Sequence, residues 1–142
     1  MNKELNFAMQ LRDKSGYTLV ISKKNQIVYK SKEKGILPLY LAYDKKIDAS
    51  GASAADKVVG KGAAYIFAEM RIKELNTIII SKPALKYLQD KDIVVTYSRL
   101  VDYISNRNKD GKCPVETMAE ASSGFETFLD DVRQFLKRLE LI

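Results

Sequence analysis

The sequence predicts an α/β domain with a mixed sheet, on the basis of three features of the chain. Two β-branched runs, 77–81 and 93–97, are separated by a segment that opens with Pro83, which predicts a strand–helix–strand unit with parallel strands. Two earlier β-forming runs, 17–22 and 26–30, are separated by a short polar stretch and predict an antiparallel hairpin. An amphipathic segment near the C-terminus predicts a helix that packs on the sheet.

Domain organisation follows from length and composition. The chain has 142 residues, of which 46% are hydrophobic, a size and apolar content typical of one domain with one core. No repeat, low-complexity tract or Pro/Gly-rich linker divides it. We therefore assign residues 1–142 to a single domain.

Local signals predict three helices in the first half of the chain. The first covers residues 3–12, and Pro38 opens a short second one, since proline is tolerated in a first helical turn. Ser53, with Asp56 three residues later, resembles a capping box and predicts the start of a third helix that continues to Met70. This places Asp56 in the first turn of a largely buried helix.

In the second half, residues 100–104 are predicted to be helical and residues 106–112 to form a polar loop with a turn. Ser123 and Glu126 form a capping box that starts the last helix. The apolar stripe through which this helix is expected to dock consists of Phe128, Leu129, Val132, Phe135, Leu136 and Leu139.

Composition excludes several classes of function. The chain has no histidine, and Cys113 is its one cysteine, which excludes histidine catalysis, an intramolecular disulfide and zinc sites of several cysteine or histidine ligands. We expect neither a metal nor another cofactor. The apolar runs are too short to cross a bilayer, and residues 1–11 lack the pattern of a secretion signal. We therefore expect a cytoplasmic protein without a membrane partner.

The formal net charge of +6 favours anionic partners. The lysines are scattered among acids and are not interleaved with aromatic side chains, as a stacking platform for nucleic acid would require. A small anion or a nucleotide-like ligand is therefore preferred over nucleic acid, which stays an alternative. Homo-oligomer formation is left open.

Three segments carry a resemblance to a known family. They are ADKVVGK at 55–61, Asn106-Arg107, and GKCPVE at 111–116. Together with the order of predicted elements, they resemble a prokaryotic family of unknown function with a cytidine-deaminase-like fold. The resemblance implies a three-layer α/β/α architecture, a mixed sheet with helices on both faces, and a pocket at the start of a helix.

The zinc motifs of that fold are missing. In zinc deaminases the second helix opens with H-x-E, and the next strand-to-helix turn carries P-C-x-x-C. This chain has Asp56 and Lys57 at the first position, and Ser81-Lys82-Pro83 without a cysteine at the second. The resemblance therefore implies a zinc-independent protein that keeps the pocket.

Charged residues near the predicted helix start suggest an anion site. Lys57 and Lys61 are four residues apart, Asp56 precedes them, and helix N-termini favour anions. Alternatively, Asp56 only caps the helix and the lysines are solvated. Gly60 and Gly62 are costly inside a helix, which indicates the close approach of a ligand, or equally tight packing of the helix on the sheet.

Other candidates each have a structural alternative. Cys113 lies among basic residues that favour a thiolate, or it is a small buried hydrophobe; Glu116 is an acid/base or begins a short helix. Asn106 and Arg107 suit a carboxylate or phosphate, or belong to an ordinary turn. Ser81 lies at the end of a central strand, where it is a ligand or an N-cap.

These observations predict a deaminase-fold protein without zinc that binds or acts on a small phosphorylated or nucleotide-like ligand. Whether it is an enzyme is left open, and the alternatives are a non-catalytic regulatory or assembly module and an RNA-associated protein. The predicted catalytic residues are Asp56, Lys57, Cys113 and Glu116, and the predicted ligand-binding residues are Lys61, Ser81, Asn106 and Arg107. We expect segments 55–57 and 113–116 to meet in space.

Overall fold

A computed structural model of the chain describes residues 3–106 and 108–142. Within these residues a first helix precedes a two-stranded hairpin, then helices and strands alternate, and two consecutive helices come last. In chain order they are α1 (Lys3–Ser15), β1 (Leu19–Lys23), β2 (Gln26–Ser31), α2 (Leu37–Asp44), β3 (Ser53–Val59), α3 (Lys61–Glu69), β4 (Glu74–Ser81), α4 (Lys82–Asp90), β5 (Val94–Val101), α5 (Pro114–Ala121) and α6 (Phe125–Arg138).

The five strands form one mixed sheet in the order β2-β1-β3-β4-β5. Strand β1 is antiparallel to both β2 and β3, whereas β3, β4 and β5 are parallel. The predicted hairpin and the predicted parallel strand–helix–strand unit are both confirmed. The α/β class with a mixed sheet is therefore correct.

Helices cover both faces of the sheet, as predicted. Helix α1 packs on β1 and β3, where Ala8 meets Val20 and Ala55 in a small apolar cluster. The other five helices contribute to the main core on the opposite face, with Phe67 and Phe128 among its largest fully buried side chains. No helix in the described part of the chain is long and apolar enough to span a membrane.

The predicted helix start at Ser53 is wrong. Residues 53–59 form β3, which is hydrogen-bonded to β1 on one side and β4 on the other, and the helix begins only at Lys61. Because a central strand is buried on both faces, its apolar residues do not alternate, and their spacing also fits a helix. Asp56 is therefore not a helix cap, and Lys57 and Lys61 do not share a helical face.

The predicted helix over 100–104 is also wrong. Strand β5 continues to Val101, with Leu100 paired to Ile80 and Val101 to Ser81. The polar loop is confirmed for the residues that the structure describes: between β5 and α5 these form no further strand or helix, and a bridge joins Ser105 to Lys112.

The last helix is confirmed, with corrections at both ends. Its N-cap is Gly124, without a side-chain cap, and not the predicted box of Ser123 and Glu126. Phe135 is only partly buried, and Leu139 lies beyond the helix and is 52% exposed. The buried members of the stripe are Phe128, Leu129, Val132 and Leu136.

Candidate functional site

A cavity of about 340 Å³ lies at the carboxyl end of β3, a location where open α/β sheets tend to bind ligands. Its volume falls in the range of small-molecule sites. Its wall is formed by the start of β1, the start of α2 with the preceding turn, the end of β3, and the starts of α3 and α5. The lining residues are Thr18, Leu19, Lys34, Gly35, Ile36, Pro38, Leu39, Asp56, Lys57, Val58, Gly60, Gly62, Ala63, Ile104, Cys113, Val115 and Glu116.

The predicted meeting of segments 55–57 and 113–116 is found in this cavity, because Asp56, Lys57, Cys113 and Glu116 all line it. A hydrogen bond also joins segment 113–116 to the start of α3, because Lys61 N–H donates to Glu116 Oε2 at 2.9 Å. The carboxylate of Glu116 thus holds the start of α3, a position that suits negative charge because helix N–H groups are unpaired there.

Glu116 is the most unusual side chain of the cavity. It is 2% exposed, and its Oε1 has no well-formed hydrogen bond to any described residue. Burial raises the pKa of Glu116, although the Ser81 hydroxyl and Lys61 N–H partly oppose this. A buried oxygen without a partner is costly, so a donor that reached Oε1 would stabilise this arrangement.

Gly60 explains how Glu116 comes so close to α3. It is the N-cap residue of that helix and has an extended backbone. A Cβ at this position would run into Glu116 Oε2 and would lie 3.1 Å from Ile104 Cγ1. Any side chain here would therefore displace the carboxylate.

Gly62 has a different role. A Cβ there would lie 2.6 Å from Val115 Cγ1 and 2.8 Å from Phe128 Cζ. The sequence had suggested that both glycines lie inside a helix that packs on the sheet. In the structure Gly60 is the N-cap residue of α3, and Gly62 is near the start of that helix. Gly60 makes room for the Glu116 carboxylate, and Gly62 makes room for α5 and α6 against α3.

Asp56 is the second carboxylate of the cavity wall. Burial raises the pKa of Asp56 to about 7, against the lowering effects of the Lys57 and Val58 N–H groups and of the Arg12 guanidinium. Lys57 N–H lies 2.7 Å from Asp56 Oδ1. A carboxyl that titrates near neutral pH is suited to proton transfer.

Lysines supply the positive charge of the site. Lys34 and Lys57 both line the cavity and are exposed, whereas Lys61 contributes its backbone N–H to Glu116. The Lys61 ammonium lies 5.6 Å from the centre of the Tyr65 ring and is not part of the lining. The cavity wall therefore combines two acidic residues with two exposed lysines.

The remaining predicted residues divide between the cavity and other places. Cys113 is half-buried in the wall. Ser81 caps α4 through its Oγ, which accepts from Ala84 N–H, so the structural alternative is confirmed for it. Asn106 bonds to Asp110 within the polar loop and does not line the cavity. Arg107 lies outside the described residues.

Sequence reasoning missed the turn before α2. Lys34, Gly35, Ile36, Pro38 and Leu39 line the cavity, yet no motif marks them. The one local signal was Pro38, which predicted the helix start that brings this turn to the cavity.

Side chains that bind zinc are missing from the starts of α2 and α3, which begin with Leu37-Pro38 and with Gly60-Lys61-Gly62. The pair Asp56-Lys57, which the sequence had placed at a helix start, lies within β3. Among the described residues, no three acidic or cysteine side chains lie together as metal ligands.

Comparisons with known proteins agree with the fold. A DUF1893 family protein from Thermotoga maritima has a crystal structure that matches with a TM-score of 0.83 and 24% identity over 94% of this chain and 91% of that chain. A diaminohydroxyphosphoribosylaminopyrimidine deaminase/5-amino-6-(5-phosphoribosylamino)uracil reductase from Thermotoga maritima matches with a TM-score of 0.45 and 16% identity over 67% of this chain and 35% of that chain. No curated protein matches.

The family model described as TM1506, domain of unknown function (DUF1893), matches residues 8–136. This segment includes the whole sheet and every residue of the cavity wall. The chain therefore belongs to the DUF1893 family.

Proposed function

We propose that this protein binds a small phosphorylated, nucleotide-like ligand in the cavity between α2, α3 and α5. The observation that carries the proposal is Glu116 Oε1, a buried carboxylate oxygen without a well-formed partner among the described residues. It belongs to a residue of the wall of a cavity that is large enough for a small molecule.

Glu116 would recognise an N–H group of the ligand. Leaving a buried acceptor unpaired costs about 1–3 kcal/mol, and a ligand N–H group aimed at Oε1 would recover this. The second oxygen is already occupied by Lys61 N–H, so Glu116 presents one acceptor in a fixed position. Nucleobases carry such N–H groups on a flat, largely apolar ring, which suits the apolar part of this wall.

The charged end of the ligand would lie toward the lysines of the lining. Lys34 and Lys57 are exposed residues of the lining, and ammonium groups attract phosphate as point charges. The ligand would thus place its base against Glu116 and its phosphate toward the lysines. This arrangement favours a nucleoside monophosphate over a free nucleoside or inorganic phosphate.

A calorimetric titration tests the proposal with AMP, CMP, GMP and UMP, each compared with its nucleoside and with inorganic phosphate. We expect at least one monophosphate to bind and to raise the melting temperature, because a ligand selective for the native state stabilises it. Its nucleoside and inorganic phosphate should bind more weakly. The proposal fails if none of the four monophosphates binds the wild-type protein.

Glu116→Gln is the decisive variant. The amide oxygen must accept from Lys61 N–H, which turns the NH₂ group toward the ligand and sets donor against donor. Binding should fall by at least about tenfold, equivalent to about 1.4 kcal/mol. The matched control is Glu120→Gln on the same helix, whose carboxylate bonds to Lys112 at the surface. Equal binding by Glu116→Gln and wild type would contradict the role of Glu116.

A reaction in the same cavity is the second candidate, and Asp56 favours it. Its pKa near 7 fits a general acid or base, with Cys113 as a neighbouring wall residue. Mass spectrometry of each bound monophosphate after incubation tests this. A new product that Asp56→Asn fails to form supports catalysis, whereas unchanged ligand in the wild type supports binding alone.

A further inference from the structure

The edge strand β5 is exposed in an unusual way. It is parallel to its one partner, β4, within the described residues, and no residue of β5 is buried. Val94, Tyr97 and Leu100 are 57%, 42% and 38% exposed. Parallel strands are normally covered on both faces, so β5 combines an unpaired edge with unusually exposed side chains.

The opposite edge strand of the sheet, β2, has features that hinder pairing with another chain, whereas β5 lacks them. Strand β2 is antiparallel to β1, a pairing that tolerates one solvated face, and the β1–β2 register is irregular at Ile21 and Ser22. Lys30 lies on this edge strand, and its ammonium packs over Tyr17. Irregular registers and lysines are common devices that prevent edge-to-edge pairing. Strand β5 has a regular register, no proline, and Arg99 as its one charged residue.

We propose that β5 is the pairing edge of a homodimer, in which β5 of a second copy adds antiparallel to it and extends the sheet. A twofold axis makes such an interface self-complementary, and cyclic dimers are the commonest oligomers. The proposal is independent of the ligand site, because β5 does not line the cavity.

Charge selects a second copy as the occupant and also selects the register. A chain of net charge +6 repels itself over most of its surface, whereas β5 contributes one positive charge. If the twofold axis passes through Ser98, Arg99 of each copy lies opposite Tyr97 of the other, a favourable cation–π pair. Val95 then lies opposite Val101. A register with Arg99 opposite itself would place like charges together and is disfavoured.

Sedimentation equilibrium tests the dimer directly. We expect the wild type to be a dimer at micromolar concentration and Tyr97→Lys to weaken dimerisation by at least about tenfold, because the new lysine faces Arg99. Tyr97 is exposed, so the monomer should fold, and circular dichroism checks this. The control is Leu139→Lys, an apolar position outside the strand that is also exposed. A monomeric wild type, or a dimer that Tyr97→Lys leaves unchanged, overturns the proposal.

A disulfide tests the register. In a Cys113→Ser background, Ser98→Cys should form a covalent dimer under mild oxidation, since the two residues lie across the axis within disulfide distance. Val94→Cys, which lies opposite Asp102 in this register, should form no covalent dimer under the same conditions. Cross-linking of Val94→Cys without cross-linking of Ser98→Cys would overturn the register.

Discussion

At the scale of single residues, the site depends on one close approach. Glu116 Oε2 fills the space that a side chain at position 60 would occupy, and it accepts the first N–H of α3. The sequence signalled this through Gly60, but the reason lay in a partner more than fifty positions away. No local pattern encodes such a contact.

Gly60→Ala should therefore be costly although alanine favours helices. The Cβ would displace Glu116, and overpacking of this kind costs about 1–3 kcal/mol in the free energy of unfolding. Gly124→Ala is the matched control, because Gly124 is also an N-cap residue and a Cβ there meets no atom within 4 Å. Chemical denaturation measures both variants. Equal stability of the two would contradict the described packing at Gly60.

Asp56 should make stability depend on pH in a defined direction. Its pKa is raised from 3.8 to about 7 in the folded chain, so between these values the native state holds a proton that the unfolded state has released. Stability contributed by this group is present at the acidic end and is lost as pH rises toward 7. The raised pKa of Glu116 acts in the same direction.

The free energy of unfolding is measured for the wild type and for Asp56→Asn across this pH range. As pH rises, the wild type should become less stable relative to Asp56→Asn. The amide does not titrate, so the difference between the two proteins isolates the carboxyl. A difference that does not vary with pH, or one that varies in the opposite direction, would contradict the raised pKa of Asp56.

At the scale of elements, strands within the sheet were the hardest to predict. Ala54 and Ala55 are both fully buried, on opposite faces of β3, so the chain there shows no alternation of polar and apolar residues. Its composition of Ala, Asp and Lys has low β-propensity, and hydrogen bonding to two neighbouring strands overrides that preference. The run at 77–81 was predicted correctly because its β-branched residues agree with its central position.

The last helix was predicted well because its apolar stripe faces one core. Phe128→Ala should cost about 3–5 kcal/mol in the free energy of unfolding, since Phe128 is fully buried and packs near Gly62. Phe135→Ala should cost clearly less, because Phe135 is only partly buried. Urea denaturation compares them. A larger loss for Phe135→Ala would contradict the orientation of α6.

At the scale of the whole molecule, the class of fold followed from composition and periodicity, whereas the position of the cavity did not. The predicted site was assigned to one helix start, but the cavity wall combines two strands, three helix starts and the turn before α2. Only the folded topology brings Lys34 and Cys113 into one wall.

Zinc should be absent from the purified protein. The chain offers no histidine and one cysteine, and the starts of α2 and α3 carry no zinc-binding side chain. Elemental analysis of the untagged protein should find far less than one zinc per chain. One tightly held zinc per chain would contradict the described site.

The central claim is that Glu116 Oε1 receives a ligand N–H in the cavity, and an NMR titration tests it most directly. A monophosphate that binds in calorimetry is added to ¹⁵N-labelled protein. We predict saturable shifts of the backbone N–H signals of Lys61, Gly62 and Glu116, and no saturation in Glu116→Gln at the same concentrations. Shifts confined to the lysines around Tyr17, with the Lys61 signal unchanged, would contradict the claim.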